Sequence, residues 1–217
     1  SHTRYGALGT LAVGEGGPEL VKQLLKQTYD VRRPEIVAVY LRGKLRKGVG
    51  PQDVALALVK ATFASGFVKN KILEFIGPGI ANLSMDYRIG IDVMPTETTC
   101  LSSVWETDEK TREYFREHGR EEDYREMKVA QPAYYDGAVT IDLSRVEPMI
   151  ALPFHPSNAY TIREFLANPV EILKKAEEQG RKIKGDDSFT LTDKVKDGKV
   201  YVTQGIIAGC AGGGYEN

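Results

Sequence analysis

Apolar residues first recur at helical spacing in residues 18–25, where Leu20, Val21, Leu24 and Leu25 share a face and Lys22, Gln23 and Lys26 fall between them. Pro18 suits a first helical turn, so the pattern predicts a helix from there to about Thr28. The period then changes. Residues 36–41 form a β-branched apolar run between Pro34 and Gly43, the composition of a buried strand. Pro51 opens a second amphipathic helix, with Val54, Leu58 and Ala61 on one face and Leu56, Val59 and Phe63 broadening it. Residues 72–76 predict another strand, ended by Gly77-Pro78-Gly79, and residues 80–94 a helix broken near Gly90.

The second half is more polar. Thr107-Asp108-Glu109-Lys110 places cap-type residues before Tyr114 and Phe115, and Gly119 follows as a stop, which predicts a surface helix with residues 116–128 as its solvated continuation. Residues 139–143 alternate as a strand. Pro148, Pro153 and Pro156 then impose an extended, irregular passage that suits a connection between domains. A helical region runs from Thr161, interrupted at Asn168-Pro169, to about Lys184, and Asp197-Gly198 signals a hairpin turn. Residues 206–208 predict a short buried strand leading into the glycine-rich run 209–214. Alternating strands and helices of this kind predict α/β layers.

Composition adds exclusions. With 41% hydrophobic residues in 217, the chain can bury an ordinary core. Its 29 basic and 30 acidic residues leave no field of one sign to attract nucleic acid or an anionic membrane, so neither partner is expected. No apolar run approaches the roughly 20 residues of a spanning helix, and residues 1–5 lack a signal pattern. Two cysteines are too few for a disulfide framework, which favours a reducing, cytoplasmic setting or a metal role for a thiol.

Cys210 draws attention because it follows the last predicted strand in a glycine-rich turn, where open α/β sheets place ligands. Glycines at 209, 212, 213 and 214 leave backbone amides able to approach an anion or the sulfide of a cluster. A small buried hydrophobe is the competing reading. Nucleotide binding is disfavoured, since Tyr215-Glu216 stands where a phosphate loop needs Lys and then Ser or Thr. His2, beside the glycine-rich stretch 6–17, titrates near neutral pH and is either an acid–base group or an exposed terminal residue. His118 reads as a partner of a helix dipole, and His155 as a loop contact or a site residue. Asp86, Arg88, Asp92 and Glu97 lie among Met85, Ile89, Val93 and Met94, so these charges need partners or a function. Cys100 reads as a core residue.

Residues 1–17, Ser-His-Thr-Arg-Tyr followed by a glycine-rich run, resemble the Asp-Ser-His-Thr segment of the aconitase superfamily. Val49-Gly50-Pro51-Gln52-Asp53-Val54 is similar to its Ser-Pro-Lys-Asp-Val helix start, Phe75-Ile76-Gly77-Pro78-Gly79 to its Phe-Gly-Pro-Gly turn, and residues 206–217 to its Gly-Ser-Cys-Thr-Asn-Ser-Ser-Tyr-Glu-Asp loop. The order and spacing agree across essentially the whole chain, and the hydratase branch is resembled more than aconitase itself. The resemblance implies three-layer α/β/α iron–sulfur domains. Residues 1–33 would be the end of a first domain, 34–150 a second, and 151–217 a connection and the start of a third.

It further implies an iron–sulfur-dependent hydro-lyase acting on a hydroxy di- or tricarboxylic acid, with this chain an internal piece that is inactive alone. Cys210 matches the first of three cysteines on a 4Fe–4S cluster, His2 a catalytic, substrate-site histidine bonded to the oxygen on the open iron, and Ser1 a substrate-contacting serine. The other ligands and the proton-abstracting serine fall in segments outside residues 1–217, so the remaining domains of the same enzyme are the implied partners. Arg4-Tyr5 replaces the Pro-Asn of aconitase, and Met94 falls where aconitase has a site glutamate, with Glu97 or Asp92 as substitutes; a substrate other than citrate follows. Two other readings remain at this stage, a non-enzymatic α/β binding or assembly module and a cysteine-nucleophile enzyme pairing Cys210 with His2 or His155.

Overall fold

The computed structural model describes residues 5–14, 16–28, 30–206 and 209–216. Its centre is a parallel sheet of four strands: β1 (Ile36–Arg42), β2 (Ile72–Ile76), β3 (Ser102–Trp105) and β4 (Gly137–Asp142), in the order β3-β2-β1-β4. Val39 pairs with Phe75 on one side and Val139 on the other, and Phe75 pairs with Trp105. Strand alternation sends Val37, Val39, Leu41, Leu73, Phe75 and Trp105 to one face, all fully buried. Phe75 and Trp105 stack there with centroids 4.2 Å apart.

That face is covered by helices α2 (Pro51–Thr62) and α3 (Met85–Asp92). Val54, Leu58 and Val59 of α2 are buried, and each such side chain contributes about 1.5–3 kcal/mol of burial. Helix α2 starts as its sequence predicts, with Pro51 in the first turn and the Asp53 carboxylate accepting from the Gly50 backbone N–H at 2.8 Å. Gly90, expected to break a helix, lies inside α3, where a Cβ would come within 2.9 Å of the Pro51 ring. Close approach of α2 and α3 accounts for this glycine. The break falls earlier, between a short 3-10 turn (Ile80–Asn82) and Ser84, whose hydroxyl caps α3 by accepting from Tyr87 N–H at 3.2 Å.

Across the opposite face, residues 127–130 and 132–135 line a cleft of about 560 Å³ with Ile36, Ile72, Glu74 and Val104. The next helix does not continue through residues 116–128 as expected, although that stretch is solvated. Helix α4 (Glu109–Glu117) ends at His118, and the chain turns back so that Thr107 N–H donates to Met127 O at 3.0 Å and Met127 N–H to Thr107 Oγ1 at 2.7 Å. Helix α1 (Gly17–Leu24) is shorter than expected and buries none of its residues.

A second, smaller cluster joins Leu152, Phe165, Ile172, Leu173 and Ala176. It is built from the antiparallel pair β5 (Met149–Ala151) and β6 (Ala159–Thr161), helices α5 (Ile162–Ala167) and α6 (Pro169–Lys184), and the hairpin β7 (Val195–Lys196) and β8 (Lys199–Val200). Thr161 caps α5, Pro169 opens α6, and Gly185 closes it in the left-handed region, as the sequence pattern requires. Glu177 of α6 ties down the following loop: its Oε2 accepts from Leu191 N–H at 2.8 Å and Thr192 N–H at 3.0 Å, and Arg181 Nη2 donates to Oε1 at 2.7 Å. The strand predicted at 206–208 does not begin as expected: Ile206 is 84% exposed and in no strand, and Ile207 and Ala208 lie outside the described residues.

Candidate active site

Helix α3 brings the candidate segments into relation. Asp92, its last residue, is 1% exposed. Its Oδ1 accepts from Ser103 Oγ at 2.6 Å and Trp105 Nε1 at 2.8 Å, both on β3, while Oδ2 accepts from the Ala7 backbone N–H at 3.2 Å. Burial pushes the carboxyl up to about 6, although the hydrogen bonds from Ser103, Trp105, Ala7 and Gly6 each act to lower it. Gly6 and Ala7 belong to a 3-10 turn (Tyr5–Leu8) that seats on β3 and α3. A Cβ at Gly6 would stand 2.3 Å from the Ser103 carbonyl, so only glycine allows this seating.

At the other end of α3, Ser84 Oγ donates to Glu216 Oε2 at 2.6 Å, and Glu216 N–H donates to Asp86 Oδ2, also at 2.6 Å. Glu216 follows the one-turn helix α7 (Gly209–Gly212) that carries Cys210, which is exposed. Ser84, Asp86, Lys110, His118, Tyr215 and Glu216 edge a cleft of about 470 Å³ between α3, α4 and this segment.

The turn before α3 is fixed from inside. Arg88, fully buried, donates to the Ile80 carbonyl at 3.1 Å and pairs with Asp108 through Nη1–Oδ1 and Nη2–Oδ2 contacts of 2.9 and 2.6 Å. Burial works to raise the Asp108 carboxyl, but the Arg88 guanidinium prevails and holds it below the ordinary carboxylate value. Lys110 Nζ donates to the Ala81 and Leu83 carbonyls at 2.7 and 3.1 Å.

His155 sits in the β5–β6 loop, stacked on Phe63 with centroids 4.0 Å apart, and its Nε2 is 3.9 Å from Glu97 Oε2. The Ser157 backbone N–H donates to His155 Nδ1 at 3.1 Å, which places the neutral ring's proton on Nε2. His118 caps α4, its Nδ1 2.7 Å from the Tyr114 carbonyl. Cys100 is a half-buried neighbour of the core: burial pushes its thiol up to about 11, and Sγ donates to the Pro95 carbonyl at 3.3 Å.

Of the predicted site residues, Cys210 is thus presented in an exposed turn held to α3, while Ser1 and His2 lie outside the described residues. Of the four charges singled out in residues 86–97, Arg88 and Asp92 are structural anchors, Asp86 holds the cysteine segment, and Glu97 faces His155. Ser84, Ser103 and Glu216 were not anticipated, although serine just before Met85-Asp86 is a cap signal. Among the described residues no group of three or more His, Cys, Asp or Glu side chains could hold a metal ion. The donors described here therefore fit one corner of a cluster, through Cys210, and not a whole one.

Fold and site together define a mixed α/β unit, its parallel sheet flanked by helices, whose cysteine turn is docked to the helix that also anchors the glycine-rich start of the chain. The chain belongs to the aconitase family (aconitate hydratase), whose model matches residues 1–217. It is 33% identical over 175 residues to the 3-isopropylmalate dehydratase large subunit 1 of Thermotoga maritima, covering 79% of this chain and 41% of that protein. The large subunit of Acetivibrio thermocellus is 36% identical over 163 residues, 75% of this chain and 38% of that one. Large subunit 2 of Archaeoglobus fulgidus is 33% identical over 165 residues, 76% and 39%. The chain spans about two fifths of the length of these curated relatives.

Proposed function

We propose that these 217 residues are the middle of an iron–sulfur-dependent hydro-lyase that adds or removes water at a hydroxy di- or tricarboxylic acid. The observation that supports this most is the presentation of Cys210 in an exposed turn, in a chain matched from end to end by the aconitase family. Cys210 would hold one iron of a 4Fe–4S cluster, His2 would act on the reacting oxygen and touch substrate, and Ser1 would contact substrate. A bound cluster with an open iron supplies a Lewis acid for a hydroxyl that otherwise leaves poorly. Residues 1–33, 34–150 and 151–217 would belong to three successive α/β domains, the rest of the polypeptide completing the site.

Because the relatives are named for 3-isopropylmalate, an alkyl-substituted malate is the first substrate class to test. A cytoplasmic location is part of the same reading; among the described residues no helix is long and apolar enough to cross a membrane. The experiment is anaerobic reconstitution of the full-length protein with iron and sulfide, then desalting, metal quantitation and a dehydration assay on substituted malates and citrate. Retained iron, lost in Cys210→Ser, with turnover of a substituted malate, is the expected result. Equal iron in Cys210→Ser, or none in the parent, overturns it. Residues 1–217 expressed alone are expected to retain no intact cluster and to show no turnover.

A further inference from the structure

The chain treats the two edges of its parallel sheet differently. On the β3 edge it covers itself: Ala12 bridges Ser103 in antiparallel sense, and Ser102 Oγ donates to the Ala12 carbonyl at 2.7 Å. On the other edge β4 pairs with β1 alone among the described residues. Half of the N–H and C=O groups of residues 137–142 therefore turn away from β1 without a ladder partner. Open edges are templates for another strand, which proteins blunt with prolines, charges or covering segments. Residues 137–142 contain no proline, and their single charge, Asp142, stands at the end.

A groove of about 840 Å³ faces this edge. Four consecutive residues, 139–142, line it, so it runs along the strand's edge; over one face of the sheet only alternate residues would line it. Ala57, Leu58 and Ala61 of α2 and Met149 of β5 give it apolar lining. Most of its charges are committed. Arg42 pairs with Asp142 at 3.2 Å, Lys60 with Glu164 at 3.1 Å, and Glu147 with Arg163 at 2.7 Å. Arg145, also lining the groove and exposed, has no ion pair among the described residues. An extended chain laid here would find main-chain partners, an apolar wall and one uncommitted positive charge.

We infer that in the whole protein this groove holds an extended segment of the same polypeptide from outside residues 1–217, added to β4 as a fifth strand, with apolar side chains toward α2 and a carboxylate near Arg145. The chain spans about two fifths of the length of its curated relatives, which leaves more than its own length to supply the roughly 20 Å that six strand residues cover. A second copy docking by the same edge fits less well, because it would bring an edge recessed behind α2 in the same way. The inference rests on one part of the proposed function, that these residues are the middle of a longer polypeptide, and needs neither the cluster nor Cys210.

The test follows amide exchange of residues 137–142 in the full-length protein, resolved residue by residue, for the parent, Ala61→Trp and Arg145→Ala. An open edge leaves every second amide unprotected, whereas a filled edge protects consecutive amides; the parent is expected to show the second pattern. Ala61→Trp, at an exposed position, puts a ring into the groove and is expected to lower protection of alternate amides at least about tenfold, while those bonded to β1 keep theirs. Arg145→Ala is expected to lower the same amides about two- to fivefold, the worth of one exposed ion pair. A benzophenone amino acid in place of Thr140, exposed on β4, is expected to cross-link to a peptide of the same polypeptide outside residues 1–217.

Alternating exchange in the parent overturns the inference, as does protection that falls on dilution or stays unchanged in both variants. A cross-link to a second copy, to another protein, to residues 1–217 only or to nothing overturns it too. Should Ala61→Trp fail to fold, the parental exchange pattern and the cross-link still decide. A full-length protein that binds no iron and turns over no hydroxy acid overturns the proposed chemistry instead, and the exchange pattern remains the judge of the fifth strand.

Discussion

Asp92 and Glu177 are both carboxylates with almost no exposure, each accepting several hydrogen bonds, yet they depart from their ordinary values in opposite directions. Asp92 lies deep against the sheet, and its partners are two neutral side chains and the backbone of an incoming turn; burial dominates and lifts it from 3.8 to about 6. Glu177 sits on the thin second cluster, shielded by its own partners; backbone N–H groups of Leu191 and Thr192 dominate, with Arg181 adding to them, and it drops from 4.5 to about 2. Counting hydrogen bonds would not separate the two. What separates them is how much water the surrounding core displaces, and that the leading partners of Glu177 are two backbone N–H groups while those of Asp92 are side chains.

The comparison breaks hardest where the burial itself is removed. Trp105→Ala should cost about 3–5 kcal/mol in urea denaturation, because it empties the fully buried ring position stacked on Phe75. Water entering beside Asp92 should bring its carboxyl back toward 3.8, read from the carboxyl carbon shift in an NMR titration. The variant also loses the Trp105 Nε1 donor that lowers Asp92, so a fall toward 3.8 shows that relief of burial outweighs the lost hydrogen bond, and a rise shows the reverse.

Next in size is the pH dependence. A carboxyl raised in the folded state favours folding when protonated, so the Asp92 contribution is present below about 4 and disappears as pH rises through about 6. The slope from one such group is at most about 1.4 kcal/mol per pH unit. Urea midpoints measured between pH 4 and 7 should carry this component in the parent and lack it in Asp92→Asn.

Glu177 runs the other way. Its contribution is present above 4.5 and is lost as pH falls toward 2. Protection of the Leu191 and Thr192 amides, measured against their intrinsic exchange rates, should therefore fall with acid in the parent, and Glu177→Gln should show the lower protection at every pH. Protection of both amides unchanged in that variant would contradict the assignment. The smallest effect belongs to the bridge between the two regions, Lys60 Nζ to Glu164 Oε2 at 3.1 Å, with both side chains more than a third exposed. Lys60→Met should shift stability by about 0.5 kcal/mol or less, checked by the same denaturation curves.

Sequence pattern served well where one chemistry ruled. The apolar run of β1 and the proline-opened, amphipathic α2 were legible because burial on one face decides both. Strand β3 drew no expectation, since it opens on two polar residues; Ser102 and Ser103 are buried because their hydroxyls find the Ala12 carbonyl and Asp92, partners 90 and 11 residues away. The start of α3 was misplaced for a related reason: Ile80 and Leu83 are apolar enough to extend a helix, but Arg88 and Lys110 claim the carbonyls of that turn. In the site, Cys210 could be picked out by its glycine-rich setting, whereas the Ser84–Glu216 contact joins residues 132 apart and leaves no local trace.

Gly90 carries a consequence for how this sequence can drift. A single methyl group there would drive into the Pro51 ring, and the strain would be shared by every segment that α3 holds. In a library saturated at position 90, survivors should be confined to one letter, while the exposed Glu216 should tolerate many in folding. Escape from glycine would first require loss of the ring at position 51, which opens part of the needed room. The two positions, 39 apart in the chain, should therefore change in a fixed order, with 51 moving before 90.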